Sequence, residues 1–364
     1  MDSYSHNTGT FIGKGGTEIF FQTWGVEDPR GILVIAHGVG EHSGRYGNII
    51  DELKGGRILV YAIDHRGHGR SGGKRGHVDS FMDYIYDLKL FIDLIKEENS
   101  SLPLILLGHS MGGVIACKYA LTYAEDIDGL VLSSAGLIVA VEVPGWKKSM
   151  GNLLSRYLPS VTMSTGLQAA DLSHDTDVVE AYENDRMVHD LVSAKWYTEY
   201  VKAGEECLNR ALELRMPLLV FHGKEDRIVD YTGSEKIFSN ASSLVKQLYL
   251  YDGLYHETMN EIDNKKVLQN AARWILKIIA TKKTSKVPKR KTAIRPIYKA
   301  GAVRGKKTAA QKRKRAPEKK GANNKIKNFK KGVTKIVGTT KKSSKKTTKK
   351  AAKKSAKKTT KKKK

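Results

Sequence analysis

Residues 104–113 of the chain read Leu-Ile-Leu-Leu-Gly-His-Ser-Met-Gly-Gly. The four apolar residues at the start predict a strand buried on both faces, and residues 114–123 have the pattern of a helix. Between them lies Gly-x-Ser-x-Gly, whose glycines permit a tight strand-to-helix turn with strained backbone angles. This arrangement is typical of a nucleophilic serine, so Ser110 is the first candidate catalytic residue.

Short apolar segments alternate with helical patterns through the first 280 residues. Apolar stripes at helical spacing run over residues 81–95 and 268–279, and a hairpin is predicted from residues 10–12 and 18–23. The alternation predicts an α/β fold with a mostly parallel sheet covered by helices. The predicted strands are 31–36, 58–63, 104–107, 130–133, 218–221 and 246–251, most of them apolar enough to be buried on both faces.

A nucleophilic serine needs a general base, and the base needs an acid that orients it. In this type of fold the base is expected after the last strand and the acid after an earlier one. Of the histidines that follow Ser110, only His256 lies between the final predicted strand and the last helix. Asp226, in the loop after the preceding strand, is the candidate acid. Glu225 is a rival by proximity, and Asp252 is a weaker one.

A glycine-rich turn follows the first buried strand, where residues 37–46 read His-Gly-Val-Gly-Glu-His-Ser-Gly-Arg-Tyr. Such a turn leaves backbone N–H groups free to bind a reacting oxygen. We therefore predict an oxyanion hole formed by the amides of Val39 and Met111, the second of which opens the helix after the serine.

Residues 137–215 interrupt the alternation of strands and helices. No clear strand is predicted there, prolines and glycines punctuate the stretch, and one helix is predicted around 194–212. Because structureless loops of this length are rare, we expect an inserted cap. The predicted organisation is a core of residues 1–136 and 216–280, a cap of 137–215 and a tail of 281–364. Apolar cap residues either line an acyl tunnel, touch a membrane surface or pack the cap helices together; these are Leu137, Ile138, Val139, Leu153, Leu154, Tyr157, Leu158, Val161 and Met163.

Several motifs together resemble the monoacylglycerol lipase and lysophospholipase branch of the α/β-hydrolases, over about residues 10–280. They are residues 37–46, Asp-His-Arg-Gly-His-Gly-Arg-Ser at 64–71, residues 108–113, His-Gly-Lys-Glu-Asp at 222–226 and Tyr-His at 255–256. The resemblance implies an α/β-hydrolase fold with an eight-stranded, mostly parallel sheet, helices on both faces and an inserted helical cap. It also implies hydrolysis of single-chain lipid esters through an acyl-enzyme on Ser110, with no metal or cofactor.

The resemblance also implies roles for individual residues. It assigns catalysis to Ser110, Asp226 and His256, and it makes residues 64–68 a structural turn below the site. Met259 stands where animal monoacylglycerol lipases have a further histidine, so the head-group contacts are expected to differ. Residues expected to support the oxyanion loop or meet the polar head are His37, Gly38, Glu41, Arg45 and His109.

Charge is distributed very unevenly along the chain. Of the 64 Lys and Arg, 36 lie in residues 281–364 with a single acid, Glu318, so this tail carries +35 and the remainder −9. Such a composition buries too little apolar surface to fold, and we expect a disordered tail whose composition resembles lysine-rich linker-histone tails. It could bind nucleic acid non-specifically, contact an anionic membrane, or act only as a solubilising extension.

Composition also excludes several classes of protein. The polar residues 1–7 do not resemble a signal peptide, and no apolar run approaches the roughly 18–20 residues that span a bilayer. Cys117 and Cys207 form no disulfide framework and lack metal-ligand spacing. We expect an intracellular protein, soluble or peripheral, with nuclear import through the basic tail as an option. The main hypothesis is a lipid esterase; the alternative is a polyanion-binding protein with a general esterase body.

Overall fold

The computed structural model describes residues 4–140 and 155–282. Within them, eight strands form one sheet and two short strands form a separate pair. The strands are β1 (Ser5–Ile12), β2 (Glu18–Gly25), β3 (Gly31–Ala36), β4 (Ile58–Ile63), β5 (Leu104–His109), β6 (Gly129–Ser133), β7 (Thr162–Ser164), β8 (Leu191–Ser193), β9 (Leu218–Gly223) and β10 (Lys246–Tyr251).

Helices cover both faces of this sheet. The α-helices are α1 (Gly47–Glu52), α2 (Met82–Asn99), α3 (Met111–Thr122), α4 (Thr176–Asn184), α5 (Ala194–Asn209), α6 (Thr232–Asn240) and α7 (Lys265–Thr281). Of these, α1 and α7 pack on one face of the sheet, and α2 and α3 on the other. In α2 the predicted apolar stripe is buried. Ser193 caps the N-terminus of α5, since its side chain accepts a hydrogen bond from the amide of Trp196.

The sheet order is β1-β2-β4-β3-β5-β6-β9-β10. β1 pairs antiparallel with β2, and β2 antiparallel with β4, whereas all other neighbours in this sheet are parallel. The six predicted strands and the initial hairpin are all present. The expected α/β-hydrolase fold with an eight-stranded, mostly parallel sheet is therefore confirmed.

Burial on both faces explains why the central strands are almost wholly apolar. Along β3, Ile32 and Val34 contact the core cluster that includes α2, α3 and α5, while Leu33 and Ile35 contact the cluster that includes α1 and α7. All four are fully buried. The contacts alternate because successive side chains of a strand face opposite sides of the sheet. Burial of each such side chain contributes about 1.5–3 kcal/mol of hydrophobic stabilisation.

The prediction that no strand lies between residues 137 and 215 is wrong. β7 and β8 pair antiparallel, with Thr162 opposite Ser193, but at three residues each they are too short to produce an alternating pattern. The helix predicted around 194–212 ends at Asn209.

Some of the expectations for the cap and the tail fall outside the described residues. Leu153, Leu154 and the tail beyond residue 282 are among them. Of the other apolar residues expected in a cap, Leu137 is buried, Ile138 and Val139 are partly buried, and Tyr157, Leu158, Val161 and Met163 are exposed. In the part of the chain that the structure describes, no helix is long and apolar enough to cross a membrane.

The carboxyl ends of the parallel strands position the candidate site. β3, β5, β9 and β10 run in the same direction, so the loops that follow them meet at one edge of the sheet. In open α/β sheets this edge is where ligands bind. The loops carry, in chain order, residues 37–46, Ser110, Asp226 and His256.

Candidate active site

Ser110 lies on a sharp turn between β5 and α3. Its backbone angles, φ 54° and ψ −120°, fall in a region that costs a non-glycine residue about 1–3 kcal/mol. The flanking glycines allow the turn, since a Cβ on Gly108 would collide with the carbonyl oxygen of Gly112, and one on Gly112 with that of Ala36. The serine is therefore held in a strained position by tight backbone packing.

The glycine-rich loop after β3 lies directly against the serine. A Cβ on Gly38 would stand 3.1 Å from the Cβ of Ser110. The amide of Val39 donates to no acceptor within residues 4–140 and 155–282. The amide of Met111 is the first of α3 and has no intrahelical acceptor. Both N–H groups are thus available to a ligand oxygen beside Ser110.

Glu41 fixes the shape of this loop. Its Oε1 accepts hydrogen bonds from the amide of Gly38 at 2.5 Å and from the Tyr46 hydroxyl at 2.8 Å, while Oε2 accepts one from Arg45 at 3.1 Å. Burial favours the neutral acid, but Arg45, the neighbouring histidines and the hydrogen bond from Gly38 together outweigh it and lower the pKa of Glu41 to about 2. The carboxylate is therefore ionised and holds the turn at Gly38.

Two buried histidines support the loop and the serine. His37 Nδ1 donates to the carbonyl of Gly38 at 2.7 Å, and its Nε2 accepts from the amide of His65 at 2.9 Å. His109 Nδ1 donates to the Ser133 carbonyl at 3.2 Å, and its ring centroid lies 4.9 Å from that of His256. Burial and the neighbouring His256 lower the pKa of His109 to about 4, so it is neutral at physiological pH.

Asp226 and His256 are joined by a short hydrogen bond. His256 Nδ1 donates to Asp226 Oδ2 at 2.6 Å, and Asp226 Oδ1 accepts from the amides of Ile228 and Val229. Although burial raises the pKa of Asp226, His256 outweighs it and keeps that pKa far below its usual value. With its proton on Nδ1, His256 has Nε2 free as a proton acceptor.

The two rival acids lie elsewhere. The Asp252 side chain is 85% exposed and pairs with Lys224 at 2.7 Å. Glu225 is exposed and makes no side-chain hydrogen bond within the described residues. Of the three acids considered, the structure brings only Asp226 to His256.

His222 is a buried partner of Asp226 that the sequence reasoning missed. Its Nε2 donates to the same Oδ2 at 2.9 Å, and its Nδ1 accepts from the Ser234 hydroxyl at 2.7 Å. Two imidazoles and two backbone amides therefore surround this carboxylate. The available signal was a histidine at the end of β9, in the same short motif as Asp226. It was passed over because only one histidine was needed as the base, and His256 was assigned that role.

Ser110 and His256 line one narrow cleft. Glu257, directly after His256, binds Arg45 through two hydrogen bonds of 2.5 and 2.9 Å, and Arg45 lies over the ring of Tyr182 at 4.8 Å. Sequence reasoning also missed Glu257, Tyr182 and Leu172 as cleft residues. The full lining is Gly38, Val39, Glu41, Arg45, His109, Ser110, Leu167, Leu172, Tyr182, His256 and Glu257.

Met259 and residues 64–68 lie away from this cleft. Met259 is buried in the core cluster that includes α7. Asp64 accepts hydrogen bonds from the amides of Ser43 and Arg70, both at 2.8 Å, and so holds the turn below the oxyanion loop. Cys117 and Cys207 are free and buried, and among the described residues no group of three His, Cys, Asp or Glu is placed to hold a metal ion.

Because several histidines are buried and neutral, we predict that the free energy of unfolding decreases at acidic pH. Burial lowers the pKa of His37, His65, His68 and His109 below the ordinary 6.5, and their mutual repulsion contributes to the lowering for His65 and His68. The unfolded chain therefore binds more protons below pH 6.5, and the free energy of unfolding falls as pH falls. Each group contributes up to about 1.4 kcal/mol per pH unit, partly offset by His256, whose pKa is raised.

Urea denaturation at several pH values between 7.5 and 5 measures this loss. A His6→Gln variant, changed at an exposed position, should show the same pH dependence as the wild type. A free energy of unfolding that stays constant down to pH 5 would contradict the prediction.

Comparisons with known proteins identify the family of the chain. The family model described as serine aminopeptidase S33 (Hydrolase_4) matches residues 27–263. A monoacylglycerol lipase of Mycolicibacterium smegmatis is 36% identical over 278 residues, which cover 76% of this chain and 99% of the lipase. The phospholipase YtpA of Bacillus subtilis is 34% identical, covering 68% and 96%.

A solved structure of a monoacylglycerol lipase has a similar fold and sequence. The monoacylglycerol lipase of Paleococcus ferrophilus superimposes with a TM-score of 0.65 at 32% identity, covering 71% of this chain and 99% of that one. The residues that the family model matches include the loops that carry Ser110, Asp226 and His256. The chain belongs to the Hydrolase_4 family of serine hydrolases with the α/β-hydrolase fold.

Proposed function

We propose that the chain hydrolyses esters of single-chain lipids, monoacylglycerols or lysophospholipids, through an acyl-enzyme on Ser110. Its family and relatives make it a carboxylic ester hydrolase. The observation that carries the proposal is the hydrogen bond from His256 Nδ1 to Asp226 beside the cleft that His256 shares with Ser110. The comparisons give no support to the alternative, a polyanion-binding protein.

In the proposed mechanism His256 acts first as base and then as acid. Its Nε2 takes the Ser110 proton as Oγ attacks the ester carbonyl, and the amides of Val39 and Met111 bind the resulting oxyanion. The intermediate collapses, and the leaving alcohol takes the proton from His256. Water then attacks the acyl-enzyme by the same route, which releases the fatty acid and returns the proton to Ser110. Asp226 holds the imidazole in the required tautomer throughout.

The charges around the cleft favour an ester over a peptide substrate. An aminopeptidase has to bind the α-ammonium group of its substrate, which calls for a free carboxylate. The two glutamates that line the cleft, Glu41 and Glu257, are already bound to Arg45, and Glu41 also to Gly38 and Tyr46. We propose that Glu41 and Arg45 shape the polar end of the site, where the alcohol part of the ester lies.

The proposed cap contributes to the acyl side of the site. Leu167 and Leu172 from the connection between β6 and β9 line the cleft beside Ser110. Apolar residues at this place fit the start of an acyl chain, and we propose that residues 137–215 act as the cap over the site.

An activity panel tests the proposed substrate class. The full chain should hydrolyse monoacylglycerols or lysophospholipids with higher kcat/KM than soluble short esters, because the acyl chain gains apolar contacts in the cap. Hydrolysis of short esters alone would refute the lipid assignment, and absence of any ester hydrolysis would refute the function.

The pH dependence of turnover gives a further prediction. Burial opposes protonation of His256, but the Asp226 carboxylate outweighs it and raises the pKa of His256 above 6.5. The base must be neutral to accept the serine proton, so kcat/KM should fall on the acid side with a midpoint above 6.5. A pH profile with a short soluble ester measures this midpoint; a value well below 6.5 would contradict the assignment of His256.

We further propose that residues 281–364 hold the enzyme at anionic membrane surfaces. Each lysine near an anionic bilayer contributes about 1 kcal/mol to binding. On vesicles containing anionic lipid, the full chain should turn over lipid roughly tenfold faster than residues 1–282 at low salt, and equally at high salt. A soluble ester should show no difference. Equal rates on vesicles, with DNA bound only by the full chain, would assign the tail to nucleic acid instead.

A further inference from the structure

Glu261 is a buried carboxylate that the proposed mechanism does not use. Only 2% of its surface is exposed. It lies five residues after His256 and accepts four hydrogen bonds. The donors are the amide of Tyr255 at 2.7 Å, the amide of His174 at 2.9 Å, His174 Nδ1 at 3.0 Å and the Ser173 hydroxyl at 3.2 Å, whose proton is shared with the carbonyl of Asn260 at 3.0 Å.

These donors come from two segments that are far apart in the sequence. Ser173 and His174 lie in the connection between β6 and β9, whereas Tyr255 immediately precedes His256. Both oxygens of Glu261 take part: Oε1 accepts from Tyr255 and from the His174 ring, and Oε2 from Ser173 and the His174 amide. The carboxylate therefore joins the loop that carries the base to the proposed cap.

Two further contacts strengthen the same junction. The amide of Glu257 donates to the carbonyl of Leu172 at 2.8 Å. The rings of His174 and Tyr255 lie against each other, with centroids 3.7 Å apart. Both chain neighbours of His256 are thus bound, one through Glu261 and one directly, to the short segment 172–174.

We infer that Glu261 is a positioning residue for His256, which sets the distance of its Nε2 from Ser110 and makes that distance depend on the cap segment 172–174. The inference rests on the proposed function. Residues 254–257 have no regular secondary structure, so side-chain and loop contacts hold them in place. The bond to Asp226 orients the ring, but it leaves the loop free to shift with the backbone. A displacement of about 1 Å at a reacting group costs roughly a hundredfold in rate.

The Glu261→Gln variant is the direct test. An amide has one accepting oxygen, so in either orientation its NH₂ group would face a backbone N–H donor, that of Tyr255 or that of His174, and repel one arm of the junction. With a short soluble ester we expect kcat to fall roughly tenfold to a hundredfold and KM to stay within about twofold of the wild-type value. The substitution displaces the base but leaves the contacts with the substrate in place. Asp263→Asn, which removes an exposed carboxylate two residues away, is the matched control and should keep wild-type kcat.

A spectroscopic measurement separates positioning from a merely structural role. The proton between His256 Nδ1 and Asp226 should give a far-downfield NMR signal in the wild type. In Glu261→Gln this signal should shift or broaden while circular dichroism remains that of a folded protein. A folded variant with wild-type kcat and an unchanged signal would overturn the inference.

His174→Ala keeps the test decisive if Glu261→Gln does not fold. It removes one partly exposed ring, and with it one hydrogen bond and the contact with Tyr255, while three donors to Glu261 remain. We expect kcat to fall roughly tenfold with KM nearly unchanged. Unchanged kcat in this variant would also overturn the inference. Failure of the proposed function is distinguishable, since the wild type itself would then hydrolyse no ester.

Discussion

The Ser110→Ala variant should lose roughly 10⁶-fold in kcat on any ester, the largest effect expected for a single substitution. The variant lacks the oxygen that forms the acyl-enzyme. A residual rate above that in water is expected from the free amides of Val39 and Met111. The measurement is kcat for a chromogenic short ester, together with mass spectrometry of the protein after incubation with a slowly hydrolysed ester, which detects an acyl group only on the wild type.

Stability provides an independent check on Ser110. Its backbone angles are ones that glycine adopts without strain, so Ser110→Gly should raise the free energy of unfolding by about 1 kcal/mol while abolishing turnover. Ser239→Ala, at an exposed position of α6, is the control and should leave both quantities unchanged. Ester hydrolysis at the wild-type rate by Ser110→Ala would refute the mechanism.

The Asp226→Asn variant should lose roughly 10⁴-fold in kcat. Asp226 accepts four hydrogen bonds, from His222, His256 and two backbone amides. If the oxygen of the asparagine accepts from the backbone, its NH₂ group faces both imidazoles. His256 then has to place its proton on Nε2, where it can no longer accept the proton of Ser110.

Glu225→Gln is the matched control for Asp226→Asn. Glu225 is adjacent in sequence but exposed, and loss of its charge should change kcat by less than about twofold. Parallel kcat measurements on both variants decide between the two acids. A larger loss in Glu225→Gln than in Asp226→Asn would contradict the assignment drawn from the geometry.

Much of the fold could be predicted from local patterns. Strands buried on both faces have to be continuously apolar, so β3 and β4 were predicted with the bounds that the structure shows. The bounds of the edge strand β10 were also predicted, although it is only partly buried. β7 and β8 could not be predicted, because three residues show no periodicity and pair with a partner about 30 residues away. The location of Ser110 was predictable for a local reason also: strand, turn and helix are contiguous in the chain.

The surroundings of the candidate site could be predicted only in part. Chain order selected Ser110, Asp226 and His256 because each follows a strand whose position in the sheet can be inferred. It could not find the pairing of Arg45 with Glu257, which are 212 residues apart, or the junction of His174 with Glu261, which are 87 apart. Nor did it predict that His222 shares the carboxylate of Asp226 with His256.

By itself, the sequence determined the scaffold, the candidate nucleophile and the uneven distribution of charge, because these depend on residue type and on short-range spacing. Only the tertiary structure decided which carboxylate lies beside His256, which residues pin the oxyanion loop, and how the connection between β6 and β9 touches the loop that carries the base. Those contacts depend on where loops from distant strands meet at the carboxyl edge of the sheet. Local sequence patterns contain no information about contacts between loops that are distant in the chain.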